Sequence, residues 1–171
     1  HQIKLDNSNY SITLFRSLIK NQIVYNSSAF ANQNFDPSIH QGVELEFDSI
    51  INPNLKFISN LNYIDSYFTE GVEKGNETPY VPRLSGNSSI YYNFDKQTDL
   101  SVDYKYIGKK RSGNDPNYIL SKSKSYQVID FSINHKMKNF IIKGSINNLL
   151  DKRYYTNLIK RGDNKAYVYP Q

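Results

Sequence analysis

The sequence predicts an all-β fold, an antiparallel meander whose strands each carry one apolar and one polar face. Three observations predict it. Apolar and polar residues alternate with period two through most of the 171 residues, and no stretch holds a helical period. Short polar turns alternate strictly with long connecting segments. Tyr and Phe, 15 and 9 in number, gather near the ends of the alternating runs, while Trp is absent.

Residues 1–5 read as the tail of an earlier strand. Tyr10, Ile12 and Leu14 then hold one phase while Ile19, Ile23 and Tyr25 hold the other, which predicts one long strand with a β-bulge near Arg16–Leu18. Val43, Leu45 and Phe47 alternate with Glu44, Glu46 and Asp48, and Leu55, Phe57, Leu61 and Tyr63 with Lys56, Asn60 and Asn62. Leu84, Ile90, Tyr92 and Phe94 alternate with Ser85, Asn87, Ser89 and Asn93. Leu100, Val102, Tyr104 and Tyr106 alternate with Ser101, Asp103 and Lys105. Ile129, Phe131 and Ile133 alternate with Val128, Asp130, Ser132 and Asn134, and Phe140, Ile142 and Ile146 with Ile141, Lys143, Ser145 and Asn147. That makes seven strands and a fragment. Asp6–Asn9, Asn52–Asn54, Asp95–Thr98 and Lys136–Asn139 are the short turns; Ser27–Ile39, Phe68–Arg83, Lys110–Ser125 and Leu149 onward are the long segments.

Composition excludes several classes. No run of 18 apolar residues exists, so no helix can span a bilayer. The Tyr, Phe, Ile and Val content is too high for a disordered chain. Without Cys there is no disulfide framework, thiol nucleophile or thiolate metal site. No charged stretch followed by an apolar one stands among the first residues given, so a secretory leader is not expected within them. The net charge of +5 divides unevenly: residues 1–95 carry 6 basic and 10 acidic side chains, and residues 96–171 carry 15 and 6. Basic and aromatic residues are not interleaved on one strand face, so nucleic acid is not an expected partner.

Tight turns at one end, long loops at the other and strands of about ten residues are the pattern of an outer-membrane β-barrel. Its apolar face meets lipid and its polar face lines a wet lumen, whereas a soluble sandwich turns the apolar face inward. The acids, lysines and asparagines in mid-strand favour the lumen. Tyr63, Tyr67 and Phe68 at one end, with Tyr92, Phe94 and Phe140 at the other, suit interface girdles. An odd strand number and an unpaired edge are not viable in lipid. Residues 1–171 are therefore expected to be part of a larger barrel domain.

Four motifs carry a family resemblance. They are Ser38-Ile39-His40-Gln41-Gly42-Val43-Glu44-Leu45-Glu46-Phe47, Tyr80-Val81-Pro82-Arg83-Leu84 with Tyr91-Tyr92-Asn93-Phe94, Tyr106-Ile107-Gly108 before a basic loop, and Ile146-Asn147-Asn148-Leu149-Leu150-Asp151-Lys152-Arg153-Tyr154-Tyr155. In this order and spacing the chain resembles the C-terminal barrel portion of TonB-dependent outer-membrane receptors; Leu150 departs from the family's usual Phe. The resemblance implies about 7–8 strands of a barrel of about 22, in the bacterial outer membrane. The final strand and an N-terminal plug would lie outside this chain. It also implies import of a scarce nutrient such as a siderophore or other metal chelate. Expected partners are outer-membrane lipid and lipopolysaccharide, the TonB system acting through the plug, and an extracellular small-molecule ligand.

Catalysis finds no constellation and no cofactor is expected. His1, His40 and His135 have no metal-ligand spacing, and His135 and Asp130 fall on opposite strand faces by parity. Glu44, Glu46, Asp48, Lys56, Asp103, Lys105, Asp130 and Lys143 are expected to face the lumen, with Arg16, Lys56, Lys105 and Lys143 as cross-strand partners for the acids. Lys109, Lys110 and Arg111, with Lys122 and Lys124, form a basic loop suited to anionic chelates or lipopolysaccharide phosphates. Tyr80, Arg83 and Tyr118 are further ligand-facing candidates. A merely solvated loop stays open beside that reading. So do two other functions: a soluble β-sandwich binding module, and a small self-contained porin-type barrel.

Overall fold

A computed structural model describes the backbone of residues 1–26, 31–113, 120–161 and 165–170, and the side chains of 1–23, 31–113 and 120–156. The strands are β1 (Gln2–Leu5), β2 (Ser8–Ile19), β3 (Ile23–Asn26), β4 (Ala31–Asn34), β5 (Ser38–Asn52), β6 (Leu55–Phe68), β7 (Leu84–Asn93), β8 (Thr98–Ile107), β9 (Tyr126–Met137), β10 (Phe140–Ile146), β11 (Tyr155–Arg161) and β12 (Lys165–Pro170). Eight of them form one antiparallel sheet in the order β1-β2-β5-β6-β7-β8-β9-β10. The hairpins β3–β4 and β11–β12 stand apart from it. The β1–β2, β5–β6, β7–β8 and β9–β10 turns hold two to four residues, and the long connections all lie at the opposite end.

Asx chemistry sets the tight turns. The Asn54 amide donates to Asn52 Oδ1 at 2.9 Å. The Gln97 and Thr98 amides both donate to Asp95 Oδ1 at 2.7 Å, the turn geometry that Asn and Asp side chains favour.

Directly opposed residues of an antiparallel pair share a face, so the register sorts the side chains. One row runs Ile12, Leu45, Leu61, Gly86, Tyr106; the row behind it runs Ser11, Glu46, Asn60, Asn87, Lys105, Val128. The apolar face has no layer over it. Among the described residues only Phe68 and Val128 are buried apolar side chains, whereas Leu14 is 76% exposed and Ile142 54%. A soluble sandwich covers such a face; a membrane barrel leaves it for lipid. On that face, at the short-turn end, Phe47 touches Tyr10 and Phe57 at ring-centroid distances of 4.8 and 5.7 Å, an aromatic belt. Gly42 in β5 is required by close approach: a Cβ there would overlap the Tyr63 carbonyl oxygen of β6.

Four expectations change. β2 pairs with β5 without a slip from Ser8↔Ser49 to Ile19↔Ser38, so no bulge lies near Arg16–Leu18. The strand ends instead, Asn21 takes a positive φ of 57°, and among the described residues β3 pairs only with β4. Arg16 sits opposite Gln41 on the apolar face, between Leu14 and Leu18, and cannot reach the acids of the other face. Phe68 belongs to no girdle: it lies on the polar face, 4% exposed, edge-on to Phe35 at 5.5 Å. The segment after Leu149 is not all loop, since β11 and β12 form a ladder within it.

The two faces predict opposite responses to charge. In the full-length protein refolded into lipid vesicles, Leu61→Arg is expected to cost about 2–4 kcal/mol near mid-bilayer. Asn60→Arg, one residue away on the polar face, should cost far less. Urea unfolding midpoints measure both.

Candidate functional site

The polar face brings together every residue expected to line a lumen. Register places Glu44, Glu46, Asp48, Lys56, Asp103, Lys105, Asp130 and Lys143 on it. Lys56 pairs with Asp48 at 2.9 Å. Asp103 and Asp130 face one another across β8 and β9, yet each carboxylate has its own donor: Ser89 Oγ at 2.5 Å for Asp103, the Asn148 amide at 2.6 Å for Asp130. Lys105 and Lys143 form no ion pair among the described residues.

The motif after β10 folds as a compact knot. Asn148 and Asp151 take positive φ values of 54° and 46°, a region short polar side chains tolerate. Asn148 Oδ1 accepts from the Lys152 amide at 2.8 Å, and Asn148 Nδ2 donates to the Lys152 carbonyl at 3.0 Å. The Leu149 amide donates to the Ile129 carbonyl at 2.7 Å. This knot aims Lys152, Arg153 and Tyr154 back toward β9. Tyr154 stacks on Tyr126 with centroids 4.4 Å apart and ring planes at 18°. A groove of about 490 Å³ lies between residues 120–126 and 152–155, lined by Lys122, Lys124, Lys152 and Arg153 beside the two tyrosines. Tyr126 shares the polar face of β9, so the groove stands at the loop end of the polar wall.

The loop cations are less open than the sequence suggests. Arg83 binds Glu77 at 2.8 Å, Lys122 binds it at 2.5 Å, and Arg111 Nε lies 3.7 Å from its Oε2. Glu77 was not among the expected site residues; its one cue was an acid in a long loop facing basic loops. It is held by a continuation of β6, with a Tyr67–Glu77 bridge and a Ser66–Thr78 hydroxyl pair at 2.6 Å. Burial pulls the Glu77 carboxyl upward, but the hydrogen bond and charge of Lys122, with Arg83 and Arg111, hold it below its ordinary 4.5. Burial and the neighbouring Lys105 lower the Lys110 ammonium. Tyr80 takes a positive φ of 66° and its amide donates to the Arg111 carbonyl at 3.0 Å. Lys109 and Lys124 are exposed. Tyr118 lies outside the described residues. Metal-ligand clusters of His, Asp and Glu are absent among the described residues.

An exposed apolar belt, a polar inner wall and a loop-end cation array define the class: the wall of an outer-membrane-type barrel. Residues 3–149 match the family model described as TonB dependent receptor-like, beta-barrel, and the chain belongs to that family. Solved structures agree in fold. The ferric yersiniabactin uptake receptor FyuA from Yersinia pestis aligns with a TM-score of 0.83 and 23% identity, over 99% of this chain and 26% of its own. The siderophore receptor PiuA from Acinetobacter baumannii gives 0.74 and 22%, over 96% and 24%. The copper transporter OprC gives 0.73 and 17%, over 99% and 28%. The chain thus spans about a quarter of the length of these proteins. No curated protein sequence matches.

Two predictions follow from this geometry. A carboxylate held below its ordinary value contributes stability that is complete above pH 4.5 and is lost as pH falls through the lowered value. Hydrogen exchange of residues 69–83 and 120–125, corrected for intrinsic rates, should therefore speed up on acidification below pH 4.5 in the full-length protein and lose that response in Glu77→Gln. Separately, Asn148→Ala removes both side-chain bonds to Lys152 and should cost about 1–3 kcal/mol, read from the urea midpoint.

Proposed function

We propose that the chain is part of the barrel wall of a TonB-dependent receptor that imports an anionic metal chelate across the bacterial outer membrane. Its role is scaffold and selectivity, with no catalysis and no resident cofactor. The apolar face meets lipid, and the loop end meets lipopolysaccharide and the extracellular ligand. A plug outside this chain couples the barrel to TonB. The remaining strands, also outside it, close the edges at β1 and β10.

The observation that supports an anionic ligand is the groove over the polar wall. Lys124, Lys152 and Arg153 are exposed along it, beside the stacked Tyr126 and Tyr154. Cations on a wall that excludes part of the solvent concentrate anions and steer their approach. The aromatic pair offers a flat apolar surface for the organic part of a chelate. That FyuA and PiuA are siderophore receptors accords with this reading, and OprC, a copper transporter, leaves the metal open.

The test is uptake by the full-length receptor in cells, with a panel of anionic and neutral ferric chelates. Lys124→Glu, Lys152→Glu and Arg153→Glu combined should lower uptake of the anionic chelate about tenfold or more, equivalent to about 1.4 kcal/mol of binding. Neutral chelates should be little affected, at equal barrel levels in the membrane. Unchanged anionic uptake would overturn the assignment.

A further inference from the structure

Three long connections gather at one end of the sheet, joined by a few aromatic, polar and ionic contacts. The segment before β5 meets the β6–β7 connection through Phe35 on Phe68 and through the Thr69 hydroxyl, which donates to the Pro37 carbonyl at 3.0 Å. The β6–β7 connection meets the β8–β9 connection chiefly at one carboxylate. Glu77, with its side chain 22% exposed, receives Arg83 from its own connection, and Arg111 and Lys122 from the neighbouring one. A second link between these two connections runs through Tyr80, whose amide donates to the Arg111 carbonyl and whose hydroxyl accepts from the Gly113 amide.

We propose that Glu77 is a positioning residue: it holds Arg111 and Lys122 in one array, fastens the β8–β9 connection to the β6–β7 connection, and is the point at which an anionic ligand loosens them. Three cations converge on one partly screened acid. Without its charge they repel one another, and the described contacts that stay between the two connections are those of Tyr80, through its amide and its hydroxyl. An anion that enters the groove at Lys122 competes with Glu77 for the same ammonium. Its arrival therefore weakens the fastening on one side while gaining a cation on the other. This last step rests on the anionic-ligand reading above; the fastening itself does not. Among the groups facing Glu77 are Arg83, Arg111 and Lys122, with Asp65 behind Arg83 at 3.8 Å.

Spin-label distances in the full-length receptor test it, with labels on cysteines introduced at the exposed Val72 and Lys109. The parent should give one narrow distance distribution. Glu77→Gln, without any ligand, should broaden it and remove its single maximum. The charge swap Glu77→Lys with Lys122→Glu should restore the narrow form, because an acid again sits among the cations. An unchanged distribution in Glu77→Gln would overturn the fastening. So would a swap as broad as Glu77→Gln, since the side chain would then act by shape. Heat-modifiable gel mobility checks that each variant forms its barrel. Ferric citrate is the anion probe for the second step: added to the parent, it should broaden the distribution. If it leaves the parent narrow while Glu77→Gln broadens, the ligand step fails and the fastening stands.

Discussion

The backbone ladder is the constraint on which the rest depends. Lipid offers no hydrogen bonds, so every amide and carbonyl at membrane depth must find a partner within the protein. The sheet meets this with antiparallel ladders between strands that follow one another along the chain, apart from the β3–β4 hairpin that falls between β2 and β5. Neighbour pairing allows tight turns at one end, where Asn52 and Asp95 close them with their own side chains. It also fixes which side chains share a face. A slip of one residue anywhere would carry Glu44 or Lys105 into lipid and Leu45 or Tyr106 into the polar interior. Register is therefore enforced by two solvents at once. The one shift in the large sheet, between Ile50 and Asn52, falls beside a turn, where a displaced residue does not disturb the band.

The polar wall handles its own charge mostly with neutral groups. Asp103 is held by Ser89, and Ser101 bonds Ser132 at 2.7 Å, while Asn60 faces Asn87 across β6 and β7. Small hydroxyls and amides satisfy a carboxylate without placing a second charge beside it, which avoids the desolvation cost of a buried ion pair. They also leave room along the wall, where long lysines would fill it. Ion pairs stand toward the ends of the wall instead, Lys56–Asp48 and Lys136–Asp99 near the short turns and Glu77 with its cations at the loop end. There it links connections whose backbones have no continuous ladder to hold them.

The fold was legible because period two and turn chemistry are local. The parity of Val43–Asp48 or Leu100–Lys105 is visible in six consecutive residues, and the structure keeps it. What was not legible depended on where a strand stops. Ile19, Ile23 and Tyr25 look like one strand out of phase with Tyr10, because alternation carries no record of a positive φ at Asn21. Phe68 looked like a girdle residue because it follows Tyr67, and only the register shows that the two point to opposite faces. For the site, the cations of the basic loop were readable as a charge run. Their convergence was not, since Glu77 and Arg83 lie on one connection and Arg111 and Lys122 on another, and the two meet only after the sheet brings β6–β7 and β8–β9 side by side.

That meeting explains why wall and loops divide the work. The wall is over-determined: backbone bonds, lipid and lumen all demand the same register, so its residues have little freedom to vary with a ligand. The connections are held by a few discrete contacts, among them Phe35–Phe68, Tyr80–Arg111 and the Glu77 array. Each can change by a single substitution without disturbing the ladder beneath. The likeness in fold to FyuA at 23% identity, with a TM-score of 0.83, accords with such a division, because many side chains satisfy the same strand parity and pairing. Freedom for side chains to change then lies where contacts are few and separable, in the residues standing above the polar wall at its loop end.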